Sequence, residues 1–273
     1  MPPLDDKEQK LHAILKACGR VVIGFSGGVD STLLLRVALD VLGKTNVLAV
    51  LADTPSLPRK EYAEAMRLAD SMDAVCVVVF PDELSDPNYV ANPANRCYFC
   101  KKCLFARIAK VARENGFACV LDGNNADDNG DYRPGRRAAL ELGVKSPLMD
   151  AGLTKAEIRE LSARAGLPTA NKPAMACLAS RIPYGTAVTA GVLAQVERAE
   201  EVLRQAGFVQ FRVRHHGDIA RIEVAVAELP RLIADEVREK VVCDVKAEGY
   251  RYVTLDLQGY RMGSLNERLG ERR

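Results

Sequence analysis

The sequence predicts an α/β fold, in which a parallel sheet covered by helices is followed by a small α+β domain. Short valine-rich runs alternate with stretches of helical periodicity through the first half of the chain, a pattern typical of a parallel sheet. After Gly185, a long helical stretch precedes two short strands joined by a turn, which indicates a hairpin in a separate unit. We therefore expect two domains, residues 1–185 and residues 186–273.

Four apolar runs are predicted to form the strands of the first domain. They are Val21–Phe25, Val47–Ala52, Val75–Phe80 and Cys119–Asp122. Helical patterns lie between them, at about 30–43, 58–72 and 100–115. Because parallel strands need crossover connections of this length, the helices are expected on both faces of the sheet.

The second half of the chain begins with a helix and a long irregular stretch. Thr154 and Glu157 form a capping-box pattern that opens a helix ending near Gly166. Prolines then punctuate the chain as far as Pro183, and long loops inside compact chains are usually functional. The remaining predicted elements are a helix at about 189–206, strands Phe208–Arg214 and Ile219–Val226 joined by His215-His216-Gly217-Asp218, a helix at about 228–240 and a strand Tyr250–Leu257.

Composition excludes several classes of protein. The 38 Lys and Arg residues against 36 Asp and Glu residues leave a net charge of +2, which argues against a nucleic-acid binder. No apolar run approaches the roughly 18 residues of a membrane span, and the charged start of the chain does not resemble a signal peptide. We expect a cytoplasmic protein with no membrane partner, whose eight cysteines serve in packing, metal binding or reactivity instead of in disulfides.

A glycine-rich segment after the first strand predicts a phosphate-binding loop. Ser26-Gly27-Gly28-Val29-Asp30-Ser31 leads from that strand into the first helix. The glycines allow a tight turn that exposes N–H groups, the serines add hydroxyl donors, and the start of a helix favours an anion. Asp30 is placed to hold Mg²⁺ on the bound phosphates.

Other interpretations of this loop differ in function. It lacks the Gly-Lys-Ser/Thr ending of a Walker A loop. Gly24–Gly28 fits the GxSxG nucleophile elbow of α/β hydrolases, but that elbow normally follows several strands, and only His215 and His216 are late enough to be its histidine. A serine hydrolase is therefore the second choice, and a nucleotide-binding regulatory module without chemistry also stays open.

The SGGVDS segment after a first strand resembles the pyrophosphate loop (PP-loop) of the ATP pyrophosphatases, which have a HUP/Rossmann-like fold. This resemblance implies attack on the α-phosphate of ATP, release of pyrophosphate and an adenylated intermediate. Asp127 and Asp128 follow the fourth strand, at the sheet edge where ligands of open α/β folds bind, and they join Asp30 as candidate Mg²⁺ ligands. The candidate ATP-binding residues are Ser26, Gly27, Gly28, Asp30, Ser31, Asp53 and Asn125.

Five further segments narrow the choice of family. They are Asn95–Lys101, Asp122–Asp128, Asp131–Gly135, Pro173–Gly185 and Gly259–Gly263. With SGGVDS they resemble the LarE family, the ATP-dependent sacrificial sulfur transferases of nickel-pincer nucleotide biosynthesis. The resemblance implies a homo-oligomer that converts the carboxylates of a small molecule, pyridinium-3,5-biscarboxylic acid mononucleotide, to thiocarboxylates.

Cys177 is the candidate nucleophile. Adenylation turns a carboxylate into an acyl donor, and a thiolate can then displace AMP to form a thioester. Arg181 lies in the same predicted loop, where a cation favours the thiolate, so Cys177 and Arg181 are the candidate catalytic residues. Elimination across the Cα–Cβ bond of Cys177 would then release a thiocarboxylate and leave dehydroalanine.

Cys97 and Cys100 add a second possible sulfur source. A CxxC pattern in a cytosolic protein indicates metal binding, an iron–sulfur cluster or redox chemistry. With Cys177 these residues supply three thiolates, enough for a 4Fe–4S cluster whose open iron carries a sulfide, and we favour this narrowly over a structural zinc completed by Cys103. The other cysteines are expected to be packing residues, namely Cys18, Cys76, Cys119 and Cys243.

An anionic substrate with carboxylates and a phosphate calls for arginine partners. Besides Arg181, the candidates are Arg212, Arg214 and Arg261, and the first two share one face of a strand by their spacing. A tRNA thiolation enzyme is the nearest alternative with the same nucleotide chemistry. It would need a basic surface, which a net charge of +2 does not suggest.

Overall fold

A computed structural model describes residues 3–130, 134–174 and 176–261 of the chain. Its first sheet consists of β1 (Val21–Phe25), β2 (Val47–Ala52), β3 (Cys76–Val79) and β4 (Cys119–Leu121). All pairings are parallel and the strand order is β3-β2-β1-β4. The predicted parallel sheet is thereby confirmed, with the third and fourth strands shorter than the sequence patterns suggest.

Helices cover both faces of this sheet, so the side chains of its strands are buried on both sides. Val21 and Ile23 pack into one apolar cluster with Leu11 of the first helix. Val22, between them, packs into a second cluster with Ile108, as the alternation of side chains along a strand requires. The helices of this part of the chain are α1 (Leu4–Cys18), α2 (Val29–Leu42), α3 (Arg59–Ser71), α4 (Pro87–Val90), α5 (Arg96–Glu114), α6 (Pro134–Glu141), α7 (Pro147–Asp150) and α8 (Lys155–Arg164).

The sequence analysis missed helix α1. Its sequence is strongly charged, and only Lys7, Leu11 and Leu15 are buried. This narrow apolar stripe is enough to anchor the helix, because Leu11 and Leu15 pack into the first apolar cluster. No helix in the ranges that the structure describes is long and apolar enough to cross a membrane.

The second sheet confirms the small α+β unit. It contains β5 (Phe211–His216), β6 (Ile219–Val224) and β7 (Tyr252–Leu255), with β5 antiparallel and β7 parallel to β6. His215 and His216 belong to β5, so the turn is made by Gly217 and Asp218. The expected helix at 228–240 is two helices, because Ala234 is extended. The helices here are α9 (Ala190–Gln205), α10 (Leu229–Ile233) and α11 (Asp235–Ala247), and the 3-10 turns of the chain are Lys44–Asn46, Glu83–Ser85, Ala126–Gly130, Leu178–Arg181 and Val226–Glu228.

The contacts divide the chain into two units that interleave along the sequence. One unit is Met1–Glu83 with Asn95–Met175, and the other is Leu84–Ala94 with Ala176–Arg273. Asn92 holds the inserted segment in the second unit, because its buried amide donates to the carbonyls of Pro183 and Thr186 at 2.8 and 3.0 Å. The domain boundary near Gly185 stays a prediction.

Candidate active site

The loop Ser26–Ser31 joins the carboxyl end of β1 to the start of α2. The hydroxyls of Ser26 and Ser31 lie 3.1 Å apart, and Ser31 also donates to the carbonyl of Gly28 at 3.2 Å. Gly28 is the N-cap residue of α2 and has no side chain to cap it. The first N–H groups of a helix lack partners within the helix, so this end of α2 offers donors to a bound anion.

Gly27 has a conformation that other residues resist. Its φ is +67°, and a Cβ atom built there would lie 2.8 Å from the Cβ of Ala65 in α3. Gly28 has φ −80° and only the hydroxyl of Ser26 within 3.4 Å of such an atom. The turn of the loop therefore depends on the first glycine, which the sequence pattern indicated without ranking the two.

Asp30 lies in the first turn of α2 and contacts a lysine that the sequence analysis did not select. Lys155 Nζ lies 2.5 Å from Asp30 Oδ2, and the amide of Asn125 donates to Asp30 Oδ1 at 3.2 Å. Lys155 is the first residue of α8, where a cation is unfavourable beside the positive end of the helix. A lysine at this unfavourable position was the feature of the sequence that could have indicated a partner for Lys155.

The segment after β4 approaches the phosphate loop. A Cβ atom on Gly123 would lie 3.0 Å from the backbone nitrogen of Ser31. Asp127 accepts from the backbone N–H of Lys155 at 2.8 Å, and Asp128 accepts from that of Asn125 at 2.9 Å. Both carboxylates therefore organise backbone around the loop, while their assignment as Mg²⁺ ligands stays a prediction.

Asp122 opens this segment as a buried carboxyl group. It accepts from Ser146 Oγ at 2.7 Å and from the amide of Asn124 at 2.6 Å. Burial raises the pKa of Asp122, and the hydrogen bonds from Ser146 and from the backbone N–H of Asn124 oppose the rise. The residue shapes the loop that carries Asn125.

Two basic residues beyond the loop complete the first unit's polar edge. Arg59 pairs with Asp53 Oδ1 at 2.5 Å and donates to Thr54 O at 2.7 Å, so Asp53 orients an arginine at the end of β2. Lys172 forms ion pairs with Glu61 and Glu64 and donates to Gly27 O at 3.4 Å. Burial lowers the pKa of Lys172, but the two carboxylates outweigh this and leave it raised.

Cys97 and Cys100 lie one turn apart at the start of α5, in the first unit. Cys97 is exposed and Cys100 is half-buried. Cys100 Sγ donates to Glu83 Oε2 at 3.5 Å, and Ser56 Oγ donates to Glu83 Oε1 at 2.6 Å. A buried carboxylate thus accepts from one thiol of the pair.

Cys177 lies in the second unit with an exposed side chain and a fixed backbone. Its carbonyl accepts from Ser180 Oγ at 2.7 Å, from Ser180 N at 3.0 Å and from Arg181 Nη1 at 2.9 Å. Arg181 is fully buried and pairs with Glu200 through Nε at 2.9 Å and Nη2 at 3.0 Å. The guanidinium of Arg181 therefore holds the backbone of the Cys177 loop from the buried side. It is not exposed beside the Cys177 thiol at the protein surface.

The two arginines of β5 have different surroundings. Arg214 pairs with Glu223 at 2.8 and 3.0 Å and donates to Ser180 O at 2.9 Å. Arg212, 8% exposed, donates to Phe211 O and stacks over Tyr260, and it forms no ion pair with the residues that the structure describes. Burial lowers the pKa of Arg212, and Arg181 adds to the effect. Such a cation is suited to an incoming anion.

The remaining candidates are less constrained. Arg261 is half-buried and lies 3.9 Å from Asp256. Cys18, Cys76 and Cys119 pack partly against the first apolar cluster. Cys243 is exposed, so the packing prediction is wrong for it. The segments Asp131–Gly135 and Gly259–Gly263 lie partly outside the described residues.

A parallel sheet whose first strand leads through a Gly-Gly loop with two hydroxyls into a helix defines a PP-loop ATP-using enzyme. Comparison with known proteins agrees, since a family model described as NAD synthase matches residues 6–82. The chain is 42% identical over 269 residues to pyridinium-3,5-bisthiocarboxylic acid mononucleotide synthase of Lactiplantibacillus plantarum, covering 98% of this chain and 97% of that protein. It is also 43% identical over 263 residues to an uncharacterized protein of Synechocystis, covering 96% of this chain and 98% of that protein.

The chain therefore belongs to the LarE family and is an ATP-dependent sulfur transferase. This result favours the sulfur transferase over the serine hydrolase and the regulatory module. The geometry agrees, because in the described residues the hydroxyl of Ser26 contacts Ser31 and the N–H of Gly28 and no histidine.

Proposed function

We propose that this chain adenylates the carboxylates of pyridinium-3,5-biscarboxylic acid mononucleotide and converts them to thiocarboxylates for the nickel-pincer nucleotide. The name of the L. plantarum relative supplies the product class. The observation that carries the proposal is the Cys177 loop, in which an exposed thiol sits on a backbone held by Arg181 and Ser180. A nucleophile needs this combination of a free side chain and a fixed main chain.

The first unit performs the adenylation. The N–H groups at the start of α2 and the hydroxyls of Ser26 and Ser31 hold the pyrophosphate portion of ATP. A substrate carboxylate attacks the α-phosphorus, pyrophosphate leaves, and an acyl adenylate forms. When no ligand is bound, Lys155 neutralises Asp30. When Mg²⁺ reaches Asp30, the Lys155 side chain can turn toward the phosphates.

Mg²⁺ fits Asp30 in particular. This ion commonly binds one or two carboxylates together with substrate phosphates and waters. Asp30 is half-buried beside the phosphate loop, and its contacts are side chains that can move. The ion would supply charge neutralisation on the phosphates, and Asp127 and Asp128 would orient Lys155 and Asn125 around it.

The second unit performs the sulfur transfer. The Cys177 thiolate attacks the acyl carbon, AMP leaves, and a thioester joins substrate and protein. Removal of the Cα proton of Cys177 breaks its Cβ–Sγ bond, which releases the thiocarboxylate and leaves dehydroalanine. Arg212 holds an anionic group of the substrate, while Arg181 and Arg214 act as positioning residues and Arg261 is a further substrate contact.

A 4Fe–4S cluster on Cys97, Cys100 and Cys177 is the alternative sulfur source. In the part of the chain that the structure describes, no three His, Cys, Asp or Glu side chains are arranged to hold a metal ion. Cys100 instead donates to Glu83. Cys97 and Cys100 belong to the first unit and Cys177 to the second, and the cluster stays an alternative sulfur source.

One experiment tests both halves of the proposal. Incubation with Mg-ATP and the pyridinium dicarboxylate nucleotide should release pyrophosphate, and mass spectrometry should show Cys177 converted to dehydroalanine in step with thiocarboxylate. Cys177→Ser should release pyrophosphate without making thiocarboxylate, and Cys243→Ser should behave as wild type.

The same experiment separates the two sulfur sources. Protein purified without oxygen should be colourless, and thiocarboxylate should not exceed one per Cys177 lost. A brown protein whose absorbance disappears in Cys97→Ala, and which turns over with Cys177 intact, would refute the sacrificial route in favour of the cluster.

A further inference from the structure

Two thiols and one ammonium group meet at the amino edge of the first sheet, away from the phosphate loop. Cys18 ends α1, Cys119 begins β4, and Lys145 forms a parallel bridge with Leu121 of that strand. Lys145 Nζ lies 3.9 Å from Cys18 Sγ and 3.7 Å from Cys119 Sγ. Cys18 and Cys119 are separated from Lys145 by 127 and 26 positions in the sequence, and folding brings all three into one cluster.

The surroundings of the two thiols differ. Burial raises the pKa of Cys18, Cys119 adds to the rise, and Lys145 opposes it. The ammonium group of Lys145 lies within 4 Å of both sulfurs, where a cation favours the thiolate form that attacks an oxidant. Both thiols are half-buried, which leaves them within reach of a small oxidant.

We propose that Cys18 and Cys119 form a redox site in which a hydroperoxide converts the thiol pair to a disulfide. The Cys119 thiolate attacks the peroxide and the O–O bond breaks. The departing hydroxide takes up the proton that the Cys119 thiol released on ionisation, so that a sulfenic acid and one water form. The Cys18 thiol then loses its proton and attacks the sulfenic sulfur, and the hydroxyl leaves as a second water. Two thiols and one hydrogen peroxide thus give one disulfide and two waters, with sulfur supplying both electrons.

The position of the pair determines what the disulfide changes. Cys119 is aligned with Val21 at the amino end of β1, whereas the phosphate loop follows the carboxyl end of that strand. The bond would join α1 to β4 without entering the ATP site. It would also close a loop of about 100 residues, a length for which a cross-link strongly restricts the unfolded chain. We expect unchanged ATP binding and a higher Tm, by on the order of 5 °C.

The test treats the full-length reduced protein with hydrogen peroxide and analyses non-reduced peptides by mass spectrometry. The peptides that contain Cys18 and Cys119 should appear joined, with the loss of two hydrogen atoms. The link should be absent in Cys18→Ser and in Cys119→Ser and present in Cys243→Ser. The rise in Tm should occur in oxidised wild type and not in oxidised Cys18→Ser, which shows that other oxidised thiols do not cause it.

Lys145 has its own readout. Lys145→Met should slow formation of the link on the order of tenfold at neutral pH, because less thiolate is present, and Lys110→Met on the exposed face of α5 should not. Full oxidation without a joined peptide, an oxygen-bridged link from Lys145 to one cysteine, or an unchanged rate in Lys145→Met would overturn the proposal.

Discussion

Gly27 shows how one residue sets the geometry of the phosphate loop. Its φ of +67° disfavours any side chain, and a Cβ atom would lie 2.8 Å from that of Ala65. We expect Gly27→Ala to lose about 2 kcal/mol of unfolding free energy or more. ATP affinity should fall on the order of tenfold, measured by calorimetric titration and urea unfolding.

Gly43 provides the matched control for Gly27. Its φ of +76° is similar, but nothing lies within 4 Å of a Cβ atom built there. Gly43→Ala should lose about 2 kcal/mol of unfolding free energy, because its ψ of 155° also lies in a region essentially confined to glycine, but it should keep full ATP affinity. If both variants lost ATP binding equally, the contact with Ala65 would not be what matters.

Arg212 and Arg214 lie two residues apart but should respond oppositely to removal of charge. Glu223 is 0% exposed, and Arg214→Met leaves it with fewer ion-pair partners. This variant should therefore lose about 3 kcal/mol of unfolding free energy. Arg212→Met removes a buried cation that has no ion pair among the described residues and should leave the unfolding free energy within about 1 kcal/mol of wild type. Its apparent KM for the pyridinium substrate should rise on the order of a hundredfold. Because each chain loses its Cys177 in one turnover, this value is measured as the substrate concentration that gives half the maximal rate of single-turnover pyrophosphate release with ATP saturating.

The converse result would assign Arg212 a structural role. Loss of stability in Arg212→Met with an unchanged KM would mean that its guanidinium serves the packing against Tyr260. The sequence had placed both arginines on one face of a strand, but it could not distinguish them, because Glu223 belongs to the neighbouring strand.

At the scale of elements, the capping box of α8 was predictable because it is local. Thr154 Oγ1 accepts from Glu157 N, and Glu157 accepts from Thr154 N at 2.8 Å. What the sequence could not show is Lys7, which is 150 residues away and lies 2.7 Å from Glu157 Oε1. The same limit explains why α1 itself escaped prediction, since its partners are distant.

The pH dependence of this contact can be measured. Burial raises the pKa of Glu157, but Lys7 and Thr154 together leave it lowered. A lowered folded pKa stabilises the protein above the ordinary glutamate pKa of about 4.3, and the contribution is lost as pH falls through the folded value. Glu157→Gln should therefore lose about 1 kcal/mol of unfolding free energy at pH 7, and this loss should shrink as the pH falls below about 4, measured by urea unfolding.

Glu160, on the same helix, is the control for Glu157. It pairs with Arg164 one turn away at an exposed position, where such pairs contribute little. Glu160→Gln should change the unfolding free energy by less than about 0.5 kcal/mol at either pH. A constant deficit of Glu157→Gln across the pH range would show that its charge is not the cause.

At the scale of the whole molecule, ATP should act as a stabiliser. A ligand that binds only the folded chain adds about 2.7 kcal/mol at one hundred times its Kd, which for a chain of this length raises Tm by about 5–10 °C. Mg²⁺ should be required for the full shift, because Asp30 otherwise stays paired with Lys155. An equal shift with EDTA present would contradict the assignment of Asp30, and differential scanning fluorimetry provides the measurement.

The amino-acid sequence by itself determined the sheet, the phosphate loop and the family. These features depend on the period of apolar side chains and on adjacent residues, so short segments of the sequence are enough to predict them. The tertiary structure alone decided which charges pair. It placed Lys155 on Asp30, buried Arg181 on Glu200, left Arg212 without an ion pair among the residues it describes, and brought Cys18 and Cys119 to Lys145. Such contacts depend on how distant segments pack, because an ion pair or a thiol pair needs atoms within about 4 Å and the linear order of residues does not specify that distance.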